Sequence, residues 1–272
     1  MTSSASPLED EDPGAASGAL DTSGGSHRER TLSGPLGKVV FSFGALGAAF
    51  HVYVLLVRAI QPWFLRSFHL TIAASLVFIL IPWRADKKAE GPGLIDLFLV
   101  LFIGSTTLYL LVDFDGILYR VGVEPNRYDV IFATLTFILI LEMGRRLQGY
   151  ILPVLAIICL VYAIYGDWLP GLWGHRGYSF NRSITYLYSL DGIFGPPLAA
   201  SSTFIILFIL FGSALQRSGA GRLFIDASLA LAGQAKGGPA KVAVLASSLF
   251  GTMSGSSVTN VVTTGTFTIP LM

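Results

Sequence analysis

The sequence predicts an all-α polytopic membrane protein with about six transmembrane helices, an interfacial amphipathic helix and a re-entrant helical hairpin. Of its 272 residues, 53% are hydrophobic and 13% are charged, and the charged share is roughly half that of a soluble domain. From residue 38 the apolar residues gather into spans close to the roughly 20 residues that cross a bilayer. The last apolar stretch, 240–270, is interrupted at its centre by small polar residues.

Composition also argues against several other classes of protein. A formal net charge of +1 gives no electrostatic basis for binding nucleic acid. The single cysteine, Cys159, lies in an apolar run and can form neither an internal disulfide nor a cysteine metal site. Residues 233–241 contain glycine and lysine but lack the Gly-Lys-Ser/Thr ending of a phosphate-binding loop.

Residues 1–33 form a compositionally distinct segment. They are rich in Ser, Gly, Ala and Pro, carry six acidic residues and lack the apolar core of a signal peptide. This composition predicts a disordered acidic tail.

Six apolar spans follow the tail, and charged residues, proline or tryptophan stand at most of their ends. We predict them at about 38–57, 63–82, 94–112, 129–143, 150–166 and 196–215. Four tryptophans lie where interfacial anchors belong, namely Trp63, Trp83, Trp168 and Trp173. With the N-terminus inside, 12 of the 18 basic residues fall in cytoplasmic segments and 6 in outer loops. This bias predicts a cytoplasmic N-terminus.

Carboxylates and histidines within this region are interpreted structurally. Asp96, Asp113, Asp115 and Glu142 lie at or near span ends. There a carboxylate can reach water or pair with Arg120 or Arg145, which we favour over ion coupling. His51 and His69 are expected to pack between helices or lie at the interface rather than relay protons.

Residues 221–234 are predicted to form an amphipathic helix lying in the membrane interface, with Asp226 on its polar side. The apolar residues that share a face at helical spacing are Leu223, Phe224, Ala227 and Leu231. The sequence Gly237-Gly238-Pro239 then interrupts the chain, and Pro239 suits a helix start.

The following stretch consists of two short apolar arms, 240–252 and 257–269, on either side of a Ser/Gly-rich centre. Each arm is about 20 Å long as a helix, which is too short to cross a hydrocarbon core of about 30 Å. Two such arms describe a re-entrant hairpin. One continuous helix with a Ser/Gly kink is the alternative, and the residues alone leave both open.

Each arm carries a stripe of residues at intervals of four. In the first arm the stripe is small and allows close helix approach: Ala243, Ser247 and Gly251. In the second arm it is polar and should face protein or a wet cavity: Ser256, Asn260, Thr264 and Thr268.

The tip between the arms predicts an ion and substrate site. Carbonyl groups that end the first arm, at Gly251, Thr252, Met253 and Ser254, suit a cation such as Na⁺. Free N–H groups that open the second arm, near Ser256 to Val258, suit a carboxylate. The candidate binding residues are Gly251, Ser254, Gly255, Ser256, Ser257, Asn260 and Thr264.

The stretch GPAKVAVLASSLFGTMSGSSVTNVVTTGTFTIPLM resembles the signature of the large membrane subunit of tripartite ATP-independent periplasmic (TRAP) transporters, in particular of fused, TAXI-type permeases. The similarity extends upstream through FILFGSALQRSGAGRLFIDASLALAG, Gly192 to Pro196 and LEMGRR, and covers about 128–272. The block Gly-Thr-Met-Ser-Gly-Ser-Ser is its most specific part. Residues 34–127, with a fourth span continuing to about 144, stand where the small subunit precedes the large one in fused permeases.

The resemblance implies Na⁺-coupled import of organic anions (carboxylates) across the bacterial inner membrane, with a periplasmic solute-binding protein as partner and no cofactor. It also implies elevator-like movement of the transport domain. It makes the hairpin the first of two, with the tip at Ser254–Ser257 and Asn260 at the Na⁺ and substrate sites. Because the family's pattern continues past the position of Met272, we expect this chain to be the N-terminal portion of a longer permease. The remaining C-terminal part would then be a necessary partner.

Two other functions fit the residues less well. An intramembrane serine protease would use Ser254 or Ser257, but Thr252 stands where such enzymes need glycine. None of the four histidines, His27, His51, His69 and His175, is well placed as its base. We therefore expect no enzymatic activity. A purely structural membrane module remains an alternative for residues 38–144.

Overall fold

The computed structural model describes residues 30, 32, 34–83, 91–253, 260–261 and 264–265. Within these ranges the regular secondary structure is helical, and the described residues contain no β-strand, as predicted. The described residues before Phe211 form one compact unit, called the N-terminal unit, and those from Phe211 onward form the C-terminal unit. Of the predicted acidic tail, the described part is Arg30 and Leu32.

Eight helices build the N-terminal unit as described. They are α1 (Gly34–Leu56), α2 (Pro62–Leu80), α3 (Leu94–Val112), α4 (Phe114–Arg120), α5 (Arg127–Gln148), α6 (Ile151–Tyr165), α7 (Phe180–Leu187) and α8 (Pro196–Ala200). A π turn, Ser201–Ile205, continues α8 into α9 (Ile206–Arg217). The C-terminal unit then contains α10 (Ala220–Ala232) and α11 (Gly238–Met253).

Five helical segments of the described chain are long and apolar enough to cross a membrane. They are Gly34–Leu56, Pro62–Leu80, Leu94–Val112, Ile151–Trp168 and Pro196–Leu215. These segments coincide with five of the six predicted spans. The other predicted span, 129–143, lies within α5, whose apolar middle is bounded by charged residues in its first and last turns.

The surfaces of these segments carry many exposed apolar side chains, among them Phe41, Leu46 and Val112. Water-exposed apolar surface of this extent is rare on soluble proteins. In a bilayer, lipid chains cover it. The fold is therefore that of a multi-pass helical membrane protein.

The core of the N-terminal unit lies where α2, α3 and α5 pack against one another. Its buried side chains include Leu70, Leu110, Ala133, Ile184 and Phe194. Trp63 also belongs to this core, at 3% exposure and with its ring 5.9 Å from that of Phe114 in an edge-to-face contact. The prediction that Trp63 is an interfacial anchor is wrong, because α4 and the loop before α8 cover the start of α2.

Buried charged side chains join several helices at one end of this unit. Arg30 and Arg146 each approach Asp96 to 2.8 Å, and Arg146 also pairs with Glu142 at 2.8 Å. Arg30 further donates to the carbonyl of Ile79 at 2.9 Å. The first residues before α1, the end of α2, the start of α3 and the end of α5 therefore lie together. Asp96 is buried here rather than solvated.

A second charged cluster lies where α3, α4 and α5 meet. Arg120 donates from Nε to Asp129 at 2.9 Å and from Nη2 to Asp113, which confirms the predicted pairing of Asp113 with Arg120. Hydrogen bonds to Asp129 and Asp113 raise the pKa of the Arg120 guanidinium above its ordinary value. Because this cluster joins the end of α3 to the start of α5, and the first cluster joins the start of α3 to the end of α5, these two helices run in opposite directions.

A hydrogen-bonded chain crosses from α1 to the π turn. His51 Nδ1 lies 2.7 Å from the Gly47 carbonyl, and His51 Nε2 lies 2.9 Å from His69 Nδ1. His69 Nε2 lies 2.9 Å from Ser201 Oγ. Both histidines therefore connect neighbouring helices, as the packing interpretation predicted.

In the C-terminal unit, α10 and α11 form a packed helix pair. Gly219 and Gly237 have positive φ angles of 85° and 72°, a conformation that glycine adopts without strain, and each stands just before one of the two helices. Ile225 of α10 packs against Ala246 and Phe250 of α11.

The predicted apolar face of α10 is only partly correct. Leu223 and Leu231 are exposed, whereas Ile225, Ser228 and Ala232 are buried. The helix buries this neighbouring face because α11 packs along it. Asp226 is exposed, as predicted for the polar side.

Candidate ion and substrate site in the hairpin

Helix α11, which is the predicted first arm, makes contacts through two adjacent faces. One face packs on α10 through Val242, Ala246 and Phe250, all of which are buried. Gly221 of α10 allows this approach, because a Cβ there would lie 3.2 Å from Phe250 Cζ. The second face carries the small-residue stripe, of which Ser247 and Gly251 are the members nearest the tip.

Asn260 of the second arm lies against that second face. Its Nδ2 donates to the carbonyl oxygen of Ser247 at 3.0 Å. A Cβ on Gly251 would lie 3.6 Å from the same nitrogen, so the small side of α11 accommodates the Asn260 side chain. The stripe of small residues thus allows the second arm to approach closely at this point.

The contact between Asn260 and Ser247 decides between the two interpretations of this stretch. The residues are 13 apart in sequence, and one continuous helix would separate them by about 20 Å along its axis. A hydrogen bond at 3.0 Å is incompatible with that separation. The chain therefore does not run from α11 to Asn260 as one straight helix, and Asn260 lies beside α11 as a re-entrant hairpin requires.

The other polar atom of the Asn260 side chain, Oδ1, has no hydrogen-bond partner among the described residues. This oxygen is buried. A buried amide oxygen without a donor costs free energy of about 1–3 kcal/mol. Such an atom is a natural ligand for a hard cation, which binds neutral oxygen atoms.

Thr264 follows Asn260 by one helical turn on the same stripe. It is buried, at 7% exposure, and its Oγ1 donates to the Asn260 carbonyl at 2.7 Å. The polar stripe of the second arm therefore faces protein at both of its described positions, as predicted. Thr268 lies outside the described residues.

At the end of the first arm, Gly251 and Thr252 are exposed. Thr252 Oγ1 donates to the Leu249 carbonyl at 2.6 Å, and so occupies one acceptor of the last helical turn. The backbone of Met253 is the last described part of this arm. Of the remaining candidate residues, Ser254, Gly255, Ser256 and Ser257 lie outside the described residues.

The described candidate ligand atoms of the hairpin carry no formal charge. Among the described residues, no group of three or more His, Cys, Asp or Glu side chains stands together as a metal site. The described candidate atoms in the hairpin are instead neutral amide, hydroxyl and carbonyl oxygens. Neutral oxygens suit a weakly held monovalent cation better than they suit a transition metal.

The described histidines have partners away from the hairpin. His51 and His69 bond to one another, and His69 bonds to Ser201. His175 lies 3.1 Å from the Tyr162 carbonyl. None of these contacts involves Ser254 or Ser257, the serines that a protease mechanism would require.

Sequence reasoning did not identify the Ser247 carbonyl as a partner of the site. The signal was present in the stripe of Ala243, Ser247 and Gly251, which predicted a close helix approach but not which residue would approach. The role of Gly221 was also missed, since a single glycine in α10 has no distinctive spacing.

The fold is that of a polytopic helical membrane protein, and the contact between Asn260 and Ser247 is one that a re-entrant hairpin requires. Comparison with protein families matches residues 135–272 to the tripartite ATP-independent periplasmic transporter, DctM component. The chain belongs to this family, which is a family of transporters and not of enzymes. Comparison with curated proteins and comparison with solved structures each found no match.

Family membership makes the chain a membrane permease component of a TRAP-type secondary transporter. It confirms the resemblance over the part of the chain that contains α9 to α11 and the hairpin. The matched range begins within α5 and so leaves α1 to α4 outside it.

Proposed function

We propose that this chain belongs to a Na⁺-coupled permease that imports organic anions, specifically carboxylates, delivered by a periplasmic solute-binding protein. The observation that carries the proposal is the Asn260 side chain. Its Nδ2 is fixed on the Ser247 carbonyl, while its buried Oδ1 has no donor among the described residues. An amide held in this way can bind a cation through its oxygen without losing further side-chain conformational freedom.

The Na⁺ ion would be held by the Asn260 oxygen together with backbone carbonyls near Thr252, Met253 and Ser254. Each contributes a neutral oxygen with partial negative charge, and the end of a helix concentrates such carbonyls. The substrate carboxylate would bind the free N–H groups at the start of the second arm, with Ser256 and Ser257 as hydroxyl donors. Gly255 would let the backbone approach the substrate closely. Thr264 would support the site by fixing the Asn260 backbone.

For the whole protein we propose a fused, TAXI-type arrangement. Residues 34–127 would correspond to the small subunit, with its fourth span continuing to about 144, and 128–272 to the start of the large one. The charged clusters that join α2, α3 and α5 suit a bracing role for the small-subunit region. The second half of the site would come from a C-terminal part of the large permease. The complex would lie in the bacterial inner membrane with the N-terminus in the cytoplasm.

The test of this function is uptake by the full-length permease in proteoliposomes. A panel of labelled carboxylates is offered with the matching binding protein, under an inward Na⁺ gradient or an equal K⁺ gradient. We expect accumulation that requires both Na⁺ and the binding protein. Equal accumulation in K⁺ would contradict sodium coupling, and equal accumulation without the binding protein would contradict dependence on that partner.

The orientation has a separate test. After Cys159 is replaced by serine, single cysteines are introduced at Lys87 and at Arg176 of the full-length protein in sealed cells. A membrane-impermeant maleimide should label only the cysteine at 176. Labelling of only the cysteine at 87 would invert the orientation, and labelling of both would contradict the predicted order of spans.

A further inference from the structure

The segment that follows α6 folds back onto the end of that helix. His175 donates its backbone N–H to the Gly166 carbonyl at 2.9 Å, and Tyr178 donates to the Ala163 carbonyl at 3.1 Å. Two 3-10 turns, Gly166–Trp168 and Gly171–Trp173, fill the space between these contacts. We name residues 165–178 the aromatic platform.

The imidazole of His175 stabilises this conformation of the aromatic platform through two hydrogen bonds; we call this arrangement the His175 lock. Its Nδ1 accepts from the Gly177 N–H at 3.1 Å, so its Nε2 carries the hydrogen that points to the Tyr162 carbonyl, also at 3.1 Å. The ring fills the space beside Gly166, where a Cβ would overlap with Nε2. Glycine at position 166 is therefore required by the position of the ring.

Large apolar side chains project outward from this fixed backbone. Leu172 is fully exposed, and Trp168 and Trp173 are 79% and 73% exposed. The backbone of Trp173 is itself held, since its carbonyl accepts from Tyr162 Oη at 2.9 Å. A rigid loop that displays two indoles and a leucine exposes an apolar surface that has to be covered in the native environment.

The covering medium follows from the continuity of this surface with α6. The candidate membrane span runs from Ile151 to Trp168, and only 6% of its most apolar window is buried inside the protein. Most of α6 is therefore exposed on the described part of the chain, and the platform begins where that exposed apolar helix ends. Asp167 and Arg176 place charged residues within the platform segment itself, as is common at the boundary between acyl chains and head groups.

We propose that the aromatic platform is a lipid-binding anchor that inserts into the interfacial zone of the bilayer. Trp168, Leu172 and Trp173 lie among the upper acyl segments, and Arg176 reaches the lipid phosphates. The anchor fixes the depth of α6 in the membrane. The anchor acts independently of the hairpin. This proposal therefore does not depend on the proposed ion coupling.

The test uses single-tryptophan versions of the full-length protein in nanodiscs. The 272-residue chain has four tryptophans, so Trp168 or Trp173 is retained while the others, including any further along the permease, are replaced by phenylalanine. Lipids carry bromine near the head group or near the chain terminus, and iodide serves as the aqueous quencher. We expect the largest loss of emission from bromine near the head group, and little loss from iodide.

The matched control retains Trp63, which lies in the protein core at 3% exposure; its emission should respond weakly to every quencher. Strong iodide quenching of Trp168 and Trp173 without lipid quenching would overturn the proposal, since the platform would then face water or a soluble partner. Stronger quenching by bromine at the chain terminus would overturn the interfacial depth.

A second variant tests the role of the His175 lock. Gly166→Ala places a methyl group where the ring lies, so the ring must move and the platform must loosen. We expect lipid quenching of Trp173 to fall and iodide quenching to rise. The control is Gly104→Ala in α3, because a Cβ there meets nothing within 4 Å and Gly104 does not have a positive φ. Equal quenching in both variants would contradict positioning by His175.

Discussion

Asn260 donates from Nδ2 to the backbone carbonyl of Ser247 at 3.0 Å, across 13 residues of sequence. This bond joins the second arm of the hairpin to the first. It uses the donor side of the amide and leaves the buried Oδ1 without a donor among the described residues. One interaction thus positions the side chain and presents its oxygen.

Asp96 is expected to be essential to the stability of the N-terminal unit. It is 2% exposed and lies 2.8 Å from both Arg30 and Arg146. Asp96→Asn removes the carboxylate of Arg30 and leaves Arg146 with Glu142 alone. Removing one partner of a buried ion pair costs about 3–5 kcal/mol. Thermal unfolding in detergent should therefore shift to a clearly lower temperature.

The matched control for that change is Asp115→Asn. Asp115 is exposed in the first turn of α4, and surface substitutions of this kind change stability by about 0.5 kcal/mol or less. Equal unfolding temperatures for the two variants would show that Asp96 does not hold the cluster together.

Replacing two glycines of the N-terminal unit by alanine should change the free energy of unfolding in opposite directions. A Cβ on Gly116 would overlap with both Arg120 Nη1 and Asp113 Oδ1, so Gly116→Ala must displace this ion pair. We expect a loss of about 1–3 kcal/mol, typical of overpacking. A Cβ on Gly104, within α3, would meet nothing within 4 Å. Gly104→Ala should stabilise the helix by roughly 0.5–1 kcal/mol.

Unfolding temperatures of the two alanine variants check this pair of predictions. Destabilisation by Gly104→Ala, or none by Gly116→Ala, would contradict the packing around α3 and α4.

The hydrogen-bonded chain from Gly47 to Ser201 determines which tautomer His51 and His69 adopt in their neutral form. A carbonyl oxygen only accepts, so His51 Nδ1 must carry its hydrogen towards Gly47. His51 Nε2 then accepts from His69 Nδ1, and His69 Nε2 accepts from Ser201 Oγ. We expect ¹⁵N NMR of histidine-labelled protein near neutral pH to show the Nδ1–H tautomer at both residues.

Assignment of those signals needs only His51→Gln and His69→Gln variants. Ser201→Ala removes the last donor and should change the His69 Nε2 signal, while Ser202→Ala should not, because Ser202 Oγ donates to the Ala199 carbonyl at 3.1 Å. An Nε2–H tautomer at either histidine would contradict the chain.

Sequence alone predicted the features that depend on local pattern. Spans of apolar residues located α1, α2, α3, α6 and the run from α8 into α9, because length and hydropathy determine what can cross a bilayer. The Ser/Gly centre indicated either a re-entrant hairpin or a continuous kinked helix, since those residues hold a helix poorly, and the residues alone left both open. The polar stripe predicted the burial of Thr264.

Features that depend on tertiary packing were missed or only partly predicted. Trp63 looks like an interfacial anchor in sequence, and only the arrival of Phe114 from α4 shows why it is buried. Which face of α10 is buried depends on where α11 lies. Likewise, no spacing in the sequence connects Arg30 to Asp96, 66 residues apart.

The proposed role of the Asn260 oxygen is to bind the coupling ion. It is tested most directly by the Na⁺ concentration for half-maximal uptake in the full-length permease, measured for the unchanged protein, Asn260→Ala and Ser248→Ala. Ser248 is the matched control, because it lies exposed on α11 and its Oγ donates to the Val244 carbonyl at 2.8 Å. We predict a requirement at least about tenfold higher for Asn260→Ala, equivalent to about 1.4 kcal/mol, and no change for Ser248→Ala. An unchanged Na⁺ requirement in Asn260→Ala, with uptake retained, would contradict this role.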